Sequence, residues 1–190
     1  MSTPIDLSAI PADLPVPEND SACDHLTGQS MPEVTLPSTA GRTVELNGLR
    51  GRNVVYCYPR TGQPGAALPG GWDSIPGARG CTPEACNFRD HHAELRALGV
   101  AAVFGVSTQD PAYQKEAATR LELSFELLSD EQLAFAHALR LPLFEADGMN
   151  LVKRVTLIID DGRITKFFYP VFPPDRAAET VLDWLRANPR

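Results

Sequence analysis

The chain has 190 residues, 43% hydrophobic and 22% charged, a composition that suits one ordinary globular domain with a full core. Its net charge of −7 argues against a protein that grips nucleic-acid backbones, which needs a basic face. No apolar run approaches the roughly 18 residues that span a bilayer, so neither nucleic acid nor membrane is an expected partner.

The opening residues, MSTPIDLSAIPADLPVPEND, have no basic start and no apolar stretch, so no secretion signal is read there and a cytoplasmic setting is expected. Residues 1–30 are rich in Pro, Ser, Asp and Ala and are read as an arm, lying over the domain or partly disordered. The domain is expected over 31–190. EVTLPSTAGRTVEL alternates apolar and polar residues around Ser38 to Gly41, a hairpin signal. NVVYCYP, Asn53 to Pro59, is a compact apolar run of the buried-strand type. Thr61 to Gly80 then holds six glycines and three prolines, a connection long enough to suggest function.

Helix signals begin at Thr82, read as the N-cap with Pro83 in the first helical position. Phe88, Leu95 and Leu98 fit one apolar face, and Gly99 is a suitable stop. VAAVFGVS from Val100 reads as a second buried strand, Asp110-Pro111 opens a helix to about Leu121, and SFELLSD supplies a third strand. Glu131 to Leu139 is a short helix. RVTLIID and RITKFFYP flank the Asp161-Gly162 turn of a second hairpin. Asp175 to Leu185 closes the chain as an amphipathic helix, with Val181, Leu182 and Leu185 inward. This order predicts an α/β protein: a mixed central sheet flanked by helices, with an N-terminal β-hairpin, most economically a thioredoxin-like fold.

Four cysteines are too few for a disulfide-stapled scaffold of this length. Cys57 alternates within an apolar strand and is read as core; Cys23, in the arm, is an accident or an accessory thiol. Cys81 lies just before the expected cap, where free N–H groups and the helix dipole favour a thiolate and lower its pKa. The bland alternative is an inert loop residue. Cys86 follows five positions later, either as a packing thiol or as a partner for Cys81. On a regular helix their Cα atoms are roughly 8–9 Å apart, beyond the limit of about 7 Å for a disulfide. A bridge therefore requires the first turn to unwind. His91 and His92 could complete a metal site with the two cysteines, but adjacent helical side chains diverge by about 100° and structural zinc favours closer cysteine spacing. No metal is expected. Arg154 opens a strand; a strand-edge Arg is ordinarily solvated, unless its end of the sheet meets the Cys81 helix.

The run CTPEACNFRD after a strand ending YP, with KRVTLIIDDGRI downstream, resembles the peroxiredoxins of the Q / bacterioferritin-comigratory-protein type, over roughly Met31 to Leu185. The resemblance implies a thioredoxin fold and reduction of hydrogen peroxide and organic hydroperoxides by thiol chemistry, without metal or organic cofactor. It makes Cys81 the peroxidatic cysteine and Cys86 the resolving one, joined in an intramolecular disulfide that thioredoxin or a similar dithiol reductant reopens. Arg154 supports thiolate and peroxide, and Glu84 and Pro59 match family positions. It also implies a monomer or weak homodimer. The sequence departs from the family in one place, an insertion over 66–80 between strand end and catalytic helix. Thr61 and Thr82 are then the candidates for the family threonine's hydroxyl, and Pro76 for part of Pro59's shielding. The insertion's large apolar residues, Leu68, Trp72 and Ile75, should dock on the domain near the Cys81 helix. Two rival readings are a disulfide oxidoreductase, whose C-x-x-C spacing is not met, and a redox sensor without turnover.

Overall fold

The first hairpin forms as expected, Thr35–Pro37 (β1) against Thr43–Glu45 (β2), in a computed structural model that describes residues 6–190. The first five residues of the arm lie outside the described residues. Arg52–Cys57 (β3) is buried along its whole length at the centre of a five-stranded sheet. Val100–Ser107 (β4) runs parallel to it on one side, followed by Glu126–Ser129 (β5). Burial on both faces explains why β3 and β4 read as continuous apolar runs. Successive side chains of β3 enter opposite cores: Val54 and Tyr56 pack with Phe88, Val181 and Leu185, whereas Val55 and Cys57 pack with Phe104, Leu128 and Leu157.

Helices follow each parallel strand. Cys81–Asp90 (α1) and His92–Ala97 (α2) come after β3, and Pro111–Arg120 (α3) comes after β4. Asp110 caps α3 through its side chain, which accepts from Tyr113 N at 2.9 Å. Ala134–Ala138 (α4) is the short helix beyond β5. Leu143–Ala146 (β6) and Met149–Val152 (β7) form an additional hairpin that the sequence reading omitted. Its Asp147-Gly148 turn, with φ of 48° and 73°, carried an Asp-Gly signal, but its flanks lack a clean alternation. Val155–Asp160 (β8) and Arg163–Phe168 (β9) complete the sheet in the order β5-β4-β3-β8-β9, and Ala177–Ala187 (α5) covers one face. Val181, Leu182 and Leu185 are buried as expected.

Two local expectations are corrected. Thr82 is not the helix cap: Gly80 holds that position in the left-handed region, φ 103°, and Cys81 is the first helical residue. A side chain on residue 80 would force its surroundings to shift, since its Cβ would lie 2.3 Å from Pro174 Cγ. The expected single helix to Leu98 is also broken, at His91, into α1 and α2.

The arm is held on the domain. Cys23 and Leu26 are fully buried, and Gly28 N donates to Ile164 O at 2.7 Å. Asp20 accepts from Lys153 Nζ at 2.9 Å and Tyr169 Oη at 2.8 Å, bonds that hold its carboxyl down to about 2. Further toward the terminus, Leu7 lies so close to Gly62 that a Cβ there would be 2.5 Å from it. Asp6 O accepts from Arg79 at 2.8 Å, and Pro17 covers Gly77. The insertion docks as expected through its apolar residues, but chiefly on the β6–β7 hairpin. Trp72 is buried with Ala78, Ala146 and Leu151, its ring 6.2 Å from Phe144, and Leu68 and Ile75 border the same cluster.

Gly80→Ala tests whether this geometry supports the helix start. Left-handed strain for a non-glycine residue is about 1–3 kcal/mol, and the clash with Pro174 adds overpacking of similar size. The expected outcome is a loss of about 2–4 kcal/mol in denaturant unfolding; an unchanged midpoint would contradict the assigned backbone.

Candidate active site

Antiparallel pairing of β3 with β8 sets Cys57 opposite Val155, so Arg154 emerges beside the end of β3, where Tyr58 and Pro59 lead into the insertion. The guanidinium crosses under the start of α1. Its Nη2 lies 3.2 Å from Cys81 Sγ and bonds the carbonyls of Gly77, Ala78 and Arg79 at 3.3, 3.4 and 3.2 Å. Its Nη1 pairs with Glu84, one turn into α1. Arg154 is 3% exposed and Glu84 fully buried. Glu84 faces the same way as Cys81 because residues three apart share a helix face.

Cys81 is 3% exposed. It receives a second donor, the backbone N–H of Arg60 at 3.4 Å, and as a thiol it donates to Ala78 O at 3.6 Å. Deprotonation gives up one weak bond and leaves two donors aimed at the anion. Burial nonetheless pushes the Cys81 thiol above its ordinary value, with Arg154 pulling it down, Glu84 pushing it up and the Arg60 amide pulling it down. A thiol lowered by its helix-start position is therefore not what the closed site holds; desolvation outweighs Arg154 and the amide. Burial also raises Glu84 to about 7 against the pull of Arg154. Two buried acids thus share one cation, and the carboxylate competes with the thiolate for it.

The other sequence candidates fall as follows. Pro59 is buried at the end of β3, beside the Arg60 amide, while Pro76 is exposed. Thr82 is buried in the first turn of α1, and its hydroxyl is not among the sulfur's hydrogen-bond partners. Thr61 turns away: its N and Oγ1 both bond Gln109 Oε1, at 3.0 and 3.1 Å. Cys86 is half-buried on α1 and unbridged, its thiol raised by burial against the pull of Arg89. Cys57 is core, as expected, and Cys23 joins it, pushed up to about 12 by burial. His91 Nδ1 meets Asn87 O and His92 Nδ1 meets Ser124 Oγ, each at 2.9 Å. Among the described residues no three His, Cys, Asp or Glu side chains converge for a metal ion.

The Arg60 amide was invisible in the sequence, because no side chain signals where a backbone donor will aim. Its aim is fixed by packing: the Arg60 guanidinium stacks 4.6 Å over the Tyr113 ring, and Tyr113 Oη donates to Thr61 O at 3.0 Å. Lys153 and Tyr169, which pin the arm through Asp20, carried no signal either.

Known proteins resemble this chain over most of its length. The Redoxin family model matches residues 26–182. Peroxiredoxin Bcp of Escherichia coli is 31% identical over 166 residues, 85% of this chain and 96% of that protein. The chloroplastic peroxiredoxin Q of Populus jackii is 32% identical over 163 residues, 84% of this chain and 68% of that protein. The crystal structure of peroxidoxin BcpB from Mycobacterium tuberculosis superimposes with a TM-score of 0.68 at 30% identity, covering 86% of this chain and 99% of that one.

The shared cation generates paired predictions of opposite sign. Glu84→Gln removes the anion that disfavours the thiolate, so the Cys81 pKa should fall. Arg154→Met removes the favourable cation, so it should rise. Thiolate absorbance against pH reads both; at a pH well below the pKa, lowering that pKa by about one makes the thiolate about tenfold more abundant. Movement in the same direction in the two variants would contradict the competition.

Proposed function

From the premise that this chain belongs to the Redoxin family, in its peroxiredoxin Q/Bcp-like subgroup, we propose how it acts as a thiol-dependent peroxidase. Cys81 is the peroxidatic residue. Its thiolate attacks the outer oxygen of a hydroperoxide; the Sγ–O bond forms as the O–O bond breaks. The sulfur becomes a sulfenic acid, and the departing alkoxide or hydroxide takes a proton to leave as alcohol or water. Arg154 supplies charge at both ends of this step, balancing the thiolate before it and the leaving oxygen during it. The Arg60 N–H adds a fixed donor to the sulfur. Support rests above all on one observation, the Cys81 sulfur held between Arg154 and the Arg60 amide at the start of α1.

Cys86 then resolves the sulfenic acid, its thiol displacing water to form a disulfide. Both cysteines sit on α1, roughly 8–9 Å apart at Cα for a regular helix, so the first turns must unwind. A thioredoxin-like dithiol returns the pair to thiols by exchange, taking the disulfide itself. A monomer in a reducing compartment such as the cytoplasm suits this cycle; among the described residues no helix is long and apolar enough to cross a membrane. The burial of Cys81 keeps a non-turnover redox sensor as the second reading.

Hydroperoxide consumption by purified protein with a thioredoxin system separates the two. Cys81→Ser should abolish turnover, and Cys86→Ser should leave the first oxidation intact while the sulfenic acid accumulates and over-oxidises. Full activity of Cys81→Ser would overturn the assignment. Unwinding α1 should also disturb the docked insertion, since Trp72 packs with Ala78, three residues before Cys81. Indole fluorescence should change between reduced and oxidised protein and lose that change in Trp72→Phe, with Trp184 on α5 as the internal reference. A silent Trp72 would uncouple the insertion from the cycle.

A further inference from the structure

We propose that Gln109 is a positioning residue for Cys81: by clamping Thr61 it aims the Arg60 amide at the sulfur. This role deepens the peroxidase reading, in which the Cys81 thiolate attacks, and it is tested on the thiol apart from turnover. Gln109 lies two residues beyond β4, at the end of the sheet where the parallel strands β3, β4 and β5 all run out. It is 4% exposed and Thr61 1%. Its Oε1 accepts from Thr61 N at 3.0 Å and from Thr61 Oγ1 at 3.1 Å, and its Nε2 donates to Thr61 O at 3.3 Å. A backbone N–H can only donate, so the oxygen of the side-chain amide must face it, which fixes the orientation of Gln109. Ser129 Oγ holds Gln109 from behind, donating to its carbonyl at 2.7 Å.

A glutamine side chain carries the same C=O and N–H pair as a peptide group. Gln109 therefore gives Thr61 the two backbone bonds that a neighbouring strand would give, although β3 has already ended at Cys57. Upstream, Tyr58 N donates to Val106 O at 3.0 Å and continues the β3–β4 pairing. Between these two held points lie only Pro59, whose ring locks φ, and Arg60. With planar peptide groups throughout, the Arg60 N–H has little choice of direction, and it points at Cys81 Sγ, 3.4 Å away. Tyr113 supports the same turn, its Oη donating to Thr61 O at 3.0 Å and its ring lying under the Arg60 guanidinium. The charged and titratable groups that act on Cys81 are Glu84 on α1, Arg154 beside β8, and Tyr56 and Tyr58 in and just after β3. Gln109 is uncharged, so its removal acts on the thiol through the direction of the amide rather than through a change of charge.

Gln109→Met removes the clamp at nearly constant side-chain volume. The Cys81 thiolate should then be about tenfold scarcer at a pH well below its pKa, the result of a pKa raised by about one when an aimed donor is lost. Alkylation by iodoacetamide across a range of pH, followed at Cys81 by peptide mass spectrometry, reads this without any peroxide. Tyr113→Phe leaves Gln109 in place and should move the thiol the same way by less. Gln114→Met is the control. Gln114 is also buried, but it bonds Ser107 Oγ and Leu128 O rather than Thr61, so its loss should lower the unfolding midpoint and leave the thiol where it was. An unchanged alkylation profile in Gln109→Met, or an equal shift in Gln114→Met, would overturn the proposal. Amide exchange in the unsubstituted protein depends on no variant folding: the Thr61 N–H should exchange as slowly as the β3 amides, and exchange at the rate of an exposed loop would remove the clamp. In parallel, kcat/KM for hydrogen peroxide should fall about tenfold in Gln109→Met at the same pH. If the unsubstituted protein reduces no peroxide, the peroxidase reading falls, and the alkylation profiles still decide whether Gln109 aims the amide.

Discussion

The guanidinium of Arg154, a residue only 3% exposed, must find its counter-charges inside the protein, because an unpaired buried cation is too costly to keep. Arg154 meets this demand with partners from separate parts of the chain: Glu84 and Cys81 on α1, and three carbonyls at the end of the insertion. Each partner is placed by a different constraint. The β3–β8 register delivers Arg154, Gly80 turns the chain sharply enough to start α1, and helical spacing brings Glu84 beneath the sulfur. Removing any one leaves the others with an uncompensated group, so fold and reactivity depend on the same contact set.

The reactivity of the thiol follows from a balance rather than from a single favourable placement. Burial favours the neutral form, two donors favour the anion, and Glu84 competes for the cation. With Glu84 raised to about 7, its protonation near neutrality releases Arg154 toward the sulfur. Protons on the two acids are thereby linked, and the site's titration belongs to the cluster.

Most of the arm precedes the residues that the Redoxin model matches, and the insertion lies within them. The insertion's carbonyls bind Arg154, its Trp72 anchors on the β6–β7 hairpin, and the arm lies across Gly62 and Gly77. Any opening of α1 for disulfide formation must disturb contacts these segments make.

Much of this was legible in the residues themselves. Alternation and apolar runs located the hairpins and buried strands, because burial on one face or two writes directly onto side-chain polarity. Asp110-Pro111 and Asp161-Gly162 marked a helix start and a turn through local backbone preference. Cys81 and Cys86 stood out by their places at and just inside a helix start, and Glu84 through the family resemblance. What the sequence could not settle was anything determined by distant packing. Thr82 had the right side chain for a cap, but Gly80 took the position because Pro174 leaves no room for a Cβ. Helix position suggested a lowered thiol, whereas the depth of burial, a property of every layer above it, pushes the other way. Arg154 could be named from its strand, but its partners depend on which strand ends the sheet brings together. The Arg60 amide has no sequence signature at all, since it is a backbone direction that packing fixes. Local chemistry is carried by residue type; desolvation and juxtaposition exist only once the chain has packed.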